Sequence, residues 1–316
     1  MRRSLVAGQL TWPLPGREIA GTPIHANGVA VLRALRLALV DSAVWTALTL
    51  AALPVLASHL LAIPLDLRPS ALIFASGVFI YNLDHFLDAS SEEGSAATWT
   101  EGIGRATLGW LVVGSGILVA VLLASAPAAV GRVFVTYGLV GIAYGLPVLP
   151  LWRRGALAWL RLKDIPGMKA AIVAGSITVA AVGLPVAWSG AGPGAPLWST
   201  ALLIWVLVVS NAIMCDVGDL RADRVSGVQT LPVLIGVEQT RLVVTLLALS
   251  VLALFSWGVA GGMVGAHPEA VTGCSLVILY AALVTERTPK AALSLILDGC
   301  SFAPLGIAWL MHGTLA

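Results

Sequence analysis

Nine stretches of about twenty mostly apolar residues punctuate the chain, and that spacing restricts it to one kind of structure. They run over 38–58, 69–88, 106–126, 129–150, 168–188, 196–215, 240–262, 269–285 and 293–312. About twenty helical residues cross a hydrocarbon layer roughly 30 Å thick. In that medium the backbone must satisfy its own hydrogen bonds, which a helix does within one segment. Charged residues make up 11% of the chain and hydrophobic ones 58%, whereas soluble domains carry about 25% charge. A soluble globule, a disordered chain, a coiled coil and a disulfide-rich module are excluded. The expected fold class is all-α: a polytopic membrane protein with about nine transmembrane helices around a central cavity. Residues 1–32 hold arginines, prolines and glycines without an apolar run, and read as an N-terminal cytoplasmic arm. Residues 33–316 read as a single transmembrane domain. Cys215, Cys274 and Cys300 show no metal-ligand or CxxC spacing and read as structural thiols.

Orientation follows from the basic residues, which concentrate on the cytoplasmic side of membrane proteins. With nine spans, sixteen of the eighteen Lys and Arg fall on the side of the N-terminus and the loops after spans two, four, six and eight. Arg68 and Arg132 alone fall on the other. Arg outnumbers Lys fifteen to three, a bias of GC-rich bacterial genomes, so the expected location is a bacterial inner membrane. Trp99, Trp152, Trp159 and Trp198 lie at span ends and read as an interfacial belt.

Acidic side chains inside or beside a span are costly and call for a reason. Two groups stand out. Asp84 and Asp88 end span two in "IYNLDHFLDASSEEG"; Asp216, Asp219 and Asp223 end span six in "NAIMCDVGDLRADRVSG". Asp84/Asp88 and Asp219/Asp223 each have i,i+4 spacing, which sets two like charges on one helix face about 6 Å apart. Helix C-termini are already negative. Hard divalent cations with oxygen ligands offset such charge, and Mg²⁺ ordinarily completes its shell with substrate phosphates. The two pairs are 135 residues and four spans apart, an architectural hint of a duplicated four-helix unit. Asn211, one turn and a half before Asp216, is a polar group in an apolar span and reads as part of the site. Asp41 and Asp298 have no partner visible in the sequence. His85 reads as a surface residue, and His59 and His267 fall near the outer side without visible partners.

These residues resemble the UbiA superfamily of intramembrane prenyltransferases, over roughly 33–312. The most specific string is "DVGDLRADRVSGVQTLPVLIG", Asp216 to Gly236, which looks like the family's second Asp-rich motif. "LRLKDIPGMKAAIVA", Leu160 to Ala174, resembles the basic loop leading into span five. "YGLPVLP", Tyr144 to Pro150, matches the preceding helix end, and "LDGC" around Asp298 is similar to the last span. The first motif departs from the usual Asn-x3-Asp-x3-Asp. Ile80 stands where Asn is expected, and Asn82 is two places late on another face. "YNLDHFLD" resembles a branch with a Tyr-x2-Asp-x3-Asp form.

The resemblance implies an allylic prenyl diphosphate donor, a lipophilic or aromatic acceptor within the membrane, contact with membrane lipid, and no nucleic acid. It implies Mg²⁺ as cofactor, one ion held by Asp84 and Asp88 and another by Asp219 and Asp223. Asp216 would be a ligand, an outer partner or a base. Lys163, Lys169, Arg221 and Arg224 are candidate diphosphate contacts, with Lys163 and Lys169 in a loop that would close over the site. Ionisation of the donor leaves a carbocation that must be kept dry, and aromatic faces stabilise a cation; Tyr81 and Tyr144 are candidate walls for it. Two other readings stay open: a membrane terpene cyclase, in which the cation closes on itself, and a non-catalytic isoprenoid binder. A transporter would show polar groups and helix breaks at mid-span, whereas the acids here gather at one face.

The basic-residue asymmetry generates a direct test of topology. A reporter fused after Ala316 is expected to behave as extracytoplasmic; a cytoplasmic signal there means that a span has been miscounted.

Overall fold

The computed structural model describes residues 38–39, 42–91, 104–153, 156–192 and 195–313. The expected arm 1–32, Asp41, Trp99 and Arg154 lie outside the described residues. Helices α1 (Val44–Leu60), α2 (Arg68–Ser91), α3 (Arg105–Ala124) and α4 (Ala128–Gly145) come first. A hairpin of strands β1 (Leu149–Arg153) and β2 (Ala156–Leu160) follows, then a single 3-10 turn at Leu162–Asp164. Next come α5 (Lys169–Ser189), α6 (Ala195–Ser226), a short α7 (Leu231–Ile235), α8 (Val237–Ala260) and α9 (Pro268–Leu283). The last span is broken into α10 (Lys290–Leu293), a π turn over Ser294–Asp298, and α11 (Phe302–His312). Among the described residues, five segments are long and apolar enough to cross a membrane by length and composition: Arg105–Ala124, Lys169–Ser189, Pro196–Ser226, Val237–Ala260 and Ser294–His312. The chain is a multi-pass membrane protein.

Every expected apolar stretch contains a helix, and the differences lie at the ends. Span four was expected to reach residue 150, but α4 stops at Gly145 and Leu146 is extended, at φ −101° and ψ 146°. Pro147 explains this, because it biases the residue before it out of the helical region. The antiparallel β1–β2 pairing that follows, Leu149 opposite Leu160 and Arg153 opposite Ala156, is a strand element that the all-α expectation lacked. Trp152 and Trp159, on the two strands, are both exposed, as is Trp198 at the start of α6. The second difference is the length of α6, which runs past residue 215, the expected end of the apolar span, through Asp216, Asp219 and Asp223 to Ser226. Its 32 residues make a rod about 48 Å long, well beyond a hydrocarbon layer of roughly 30 Å. The acids therefore ride on its last three turns.

Sequential helices pack as neighbours: α1 on α2, α2 on α3, α4 on α5, α5 on α6 and α8 on α9. The bundle closes because α11 packs on α9 and on α1, and α1 also touches α5 and α6. Leu53, Leu56, Leu72, Leu184, Leu203 and Ile204 are fully buried between these helices. Trp110, Ile117, Val121, Leu139 and Leu310 are exposed on the outside, where lipid replaces water as the neighbour. Between helices in lipid, close approach through small residues supplies much of the adhesion. Gly77 on α2 is such a contact. A Cβ there would meet Ala47 of α1 at 3.1 Å from its Cβ and 3.3 Å from its Cα. At the start of α2, Arg68 donates to Asp66 from Nε at 3.0 Å and lies 5.3 Å from the Trp188 ring centroid. That guanidinium hydrogen bond holds the half-buried Asp66 carboxyl below its ordinary range.

Gly77→Leu is expected to push α1 off α2, at a cost of about 1–3 kcal/mol as for other overpacked contacts. Thermal unfolding of the purified protein in detergent checks this. An unchanged midpoint would show that α1 and α2 can separate freely.

Candidate active site

The α2 and α6 ends that carry the two acidic motifs are held near each other by intermediaries. Helices α1 and α5 pack against both. On α6, a turn every 3.6 residues puts Asp216, Asp219 and Asp223 within a stripe about 60° wide. The same geometry sets Arg221 about 140–160° from them, on the far side of the helix, and Arg224 to the flank of the stripe. Both arginines are exposed. The structure thus separates Arg221 from the acids with which the sequence grouped it.

Each acid of the stripe has its own environment. Asp216 is buried, and Lys169 at the first turn of α5 donates from Nζ to its Oδ1 at 2.7 Å. Lys169, expected as a free diphosphate contact, is therefore already engaged by a carboxylate. Asp223 is buried too, and accepts from the Thr230 hydroxyl at 3.0 Å through Oδ2. Thr230 opens the Thr-Leu-Pro-Val run, which gives that run a purpose the sequence did not disclose. Asp219 is half-buried and Asp84 on α2 is exposed. Asp88 follows one turn later on the same helix.

Two tyrosines connect the motifs. Tyr144, in the last turn of α4, lies within Coulombic range of Lys169, Asp216, Asp84 and Asp223. Lys163 extends its ammonium over the Tyr144 ring, 6.0 Å from the centroid. Tyr81, one turn before Asp84, is within Coulombic range of Asp298, Cys215, Tyr144 and Asp84. The loop between β2 and α5 is pinned in place. Gly167 adopts φ +70°, a left-handed conformation that favours glycine, and donates its N–H to the Gln229 carbonyl at 2.8 Å. That bond ties the basic loop to the turn after α6, between the second motif and Thr230.

Deeper along α6, Asn211 donates to Asp298 Oδ1 at 2.9 Å. Asp298 also accepts from Thr46 of α1 at 2.8 Å and from Ser294 at 3.3 Å. Asn211, expected to serve the site directly, is thus an interhelical strut that fixes the π turn, and Asp298 is fully partnered. Asn211 also lines a small cavity with Leu207, Gly273, Val277, Tyr280 and Leu297. Asn82 turns away from the acids: buried, it donates to the Ser42 and Val78 carbonyls at 2.9 and 2.8 Å. It therefore does not take the place of the missing first-motif Asn. Gly218, between the acids of the second motif, admits Leu293; a Cβ there would collide with the Leu293 Cδ1, so α10 seats against α6 at this point.

Neither a protein-family model nor a curated protein matches the chain by sequence. Solved structures match it by fold. The apo structure of a UbiA homologue from Aeropyrum pernix K1 aligns with TM-score 0.57 at 17% identity, covering 82% of this chain and 97% of that one. A UbiA homologue from Archaeoglobus fulgidus bound to GPP and Mg²⁺ aligns with TM-score 0.52 at 15% identity, covering 84% and 98%. A structure of a UbiA homologue from Archaeoglobus fulgidus bound to DMAPP and Mg²⁺ gives TM-score 0.52 at 16% identity with the same coverage. The chain has the UbiA fold over nearly the whole length of those proteins.

The Lys169–Asp216 pair makes a separable prediction. Lys169→Met leaves a buried carboxylate without its cation and is expected to destabilise the protein strongly. Adding Asp216→Asn should recover part of the loss. The double-mutant cycle in thermal unfolding should show a coupling of about 0.5–3 kcal/mol, the range for residues in direct contact. Strict additivity would mean the pair contributes nothing to holding α5 on α6.

Proposed function

We propose that this chain is a UbiA-superfamily enzyme that transfers a prenyl group, with Mg²⁺, from an allylic prenyl diphosphate to a lipophilic acceptor within the membrane. The observation that carries the reading is the convergence of Asp84 from α2 with Asp216, Asp219 and Asp223 from α6 around Tyr144 and Lys169. It occurs at one end of an apolar bundle with the UbiA fold. Asp84, Asp88, Asp219 and Asp223 would hold the metal. The donor set suits Mg²⁺: it is all oxygen, it comes from both motifs, and Asp84 and Asp219 keep access to water. Mg²⁺ usually binds one or two carboxylates and completes its shell with waters and phosphate oxygens. When bound, it neutralises the diphosphate and the charge that grows on it as it leaves.

The chain's own residues do the rest. A diphosphate brings about three negative charges to a site rich in carboxylates, so cationic side chains are needed to receive it. Lys163, over the Tyr144 ring, supplies one such charge. Lys169 supplies a second that Asp216 holds in position, and Arg224 stands at the flank. As the allylic carbon–oxygen bond breaks, the diphosphate leaves with the electron pair and the carbon becomes cationic. The ring faces of Tyr81 and Tyr144 would face that carbon, and the acceptor would then form the new bond and lose its proton. The loop from Lys163 to Gly167, tied to Gln229 beside the second motif, would cover the bound diphosphate and restrict water. The basic-residue asymmetry supports a site that opens to the cytoplasm, the excess of Arg over Lys supports a bacterial cell, and residues 33–316 would act as one domain.

Purified protein incubated with Mg²⁺ and labelled prenyl diphosphates, with and without lipid extracts of its host, tests the reading. A prenylated lipid supports transfer; a released hydrocarbon or alcohol from the donor alone supports cyclisation. Asp84→Ala and Asp219→Ala are each expected to abolish turnover in folded protein. Lys163→Ala should lower the rate about tenfold to a hundredfold, the loss of one charge-assisted contact worth about 1.5–3 kcal/mol. Full activity in either aspartate variant would rule out a site built from both motifs.

A further inference from the structure

A second cluster of metal-type ligands sits at the opposite end of the bundle. Helix α1 ends where α2 begins, so its C-terminal turn lies away from the Asp84 end of α2. His59 is in that turn, His267 caps the N-terminus of α9, Glu269 is in its first turn, and His312 closes α11. In sequence, these residues are scattered over more than 250 positions. In space, all three histidines approach one carboxylate. His59 Nε2 is 3.1 Å and His312 Nε2 is 3.4 Å from Glu269 Oε1; His267 Nδ1 is 3.6 Å from Oε2. The ligand atoms of His59, Glu269 and His312 all lie within 4.8 Å of one another.

We propose that His59, Glu269 and His312 form a zinc-type metal site at the membrane face opposite the aspartates. The geometry has the right scale. Zinc binds imidazole nitrogen and carboxylate oxygen at about 2.0–2.2 Å in a tetrahedron, whose edges are then about 3.3–3.6 Å. The 3.4 Å separation between His312 Nε2 and Oε1 falls on such an edge, and the 3.1 Å hydrogen-bonded separation of His59 Nε2 from Oε1 is about 0.2 Å short of one. Ligand chemistry selects the ion class: imidazole suits zinc and its transition-metal neighbours, whereas an all-oxygen set suits Mg²⁺.

Burial supports the assignment independently. The Glu269 side chain is 0% exposed, and a fully buried carboxylate needs cationic compensation. Its Oε2 and His59 Nδ1 are buried without a hydrogen-bond partner. The site is nonetheless reachable, because the His312 side chain is 48% exposed and offers an ion an entry path. Three protein ligands leave one tetrahedral position for water. His267 faces the second carboxylate oxygen, the place of an outer residue that orients a ligand. A bound ion would clamp α1, α9 and α11 together, the helices through which the bundle closes.

The test uses the full chain, purified with an affinity tag free of histidine, in millimolar Mg²⁺ to occupy the aspartates. Zn²⁺ is the probe. The wild type is expected to retain one zinc per chain after dialysis and to melt at a higher temperature with Zn²⁺ than without. Cobalt in its place should give the intense visible bands of a tetrahedral site. Asp219→Asn should leave zinc retention intact, which separates the two metal sites. His267→Ala should weaken zinc affinity about 10–100-fold, as outer-residue substitutions do. His312→Ala, at the exposed ligand and so tolerated by the fold, should lose the zinc outright and the zinc-dependent rise in melting with it. Absence of zinc from the wild type, loss of it in Asp219→Asn, or full retention in His312→Ala would overturn the site.

Discussion

A carboxylate buried in an apolar bundle must be met by a donor or a cation, or the helix that bears it will not stay there. Among the described residues four acids are buried in that sense: Asp216, Asp223, Glu269 and Asp298. Each is answered from a different part of the chain. Asp216 takes Lys169 from α5, Asp223 takes Thr230 from the turn before α7, and Asp298 takes Thr46 from α1 and Asn211 from α6. Glu269 takes histidines from the ends of α1 and α11. Apolar packing in lipid holds helices together with little preference for which face meets which. These junctions supply that preference. They fix α5 to α6, α1 to the broken last span, and α11 back to α1, which are the contacts that turn a row of helices into a closed bundle.

The same junctions explain why the two ends of the molecule differ. At the aspartate end, Asp216 and Asp223 are buried, Asp219 is half-buried and Asp84 is exposed, so access to water rises towards the α2 motif. Polarity then falls with depth along α6. The carboxylate stripe gives way, about 7–10 Å further in at 1.5 Å per residue, to the neutral Asn211 and its hydrogen bond to Asp298. Beyond that lies the small cavity lined by Leu207, Gly273 and Val277. Such a gradient suits a ligand charged at one end and apolar at the other. At the far end a single buried carboxylate is surrounded by imidazoles, and the donor set changes from oxygen to nitrogen.

Much of this was legible in the sequence because the membrane enforces it. A span announces itself by length and hydropathy, and an acid beside a span stands out because it is costly. Both acidic motifs were visible for that reason, whereas the basic loop with Lys169 stood out through its resemblance to a family segment. The structure also showed what linear patterns do not encode. Pro147 ends α4 early, and the residues that follow pair as a hairpin rather than extending a helix. Asp216 and Lys169 are 47 positions apart, so their pairing depends on how α5 lies on α6. His59 and Glu269 are 210 apart, with no local spacing to mark them. The one available signal was Glu269 itself, an acid in the first turn of an otherwise apolar helix, on the same expected side as His59 and His312.

The departure in the first motif acquires a physical meaning from its surroundings. Where the usual pattern has an Asn one turn before the first acid, this chain has Ile80, which is exposed. The carbonyl oxygen and amide of an Asn there would reach the mouth of the site; an isoleucine offers neither. The nearby Asn82 does not compensate, because its amide is spent on the Ser42 and Val78 carbonyls between α1 and α2. What approaches from α2 in its place is Tyr81, adjacent to Asn82 and within Coulombic range of both Asp84 and Asp298. A hydrogen-bonding group beside Asp84 is thus replaced by an aromatic ring near both Asp84 and Asp298. Such a change leaves the acidic pairs of both motifs intact in the sequence. In the proposed reaction it would alter the groups that meet the reacting carbon, and so would act on the choice of acceptor rather than on the binding of the donor.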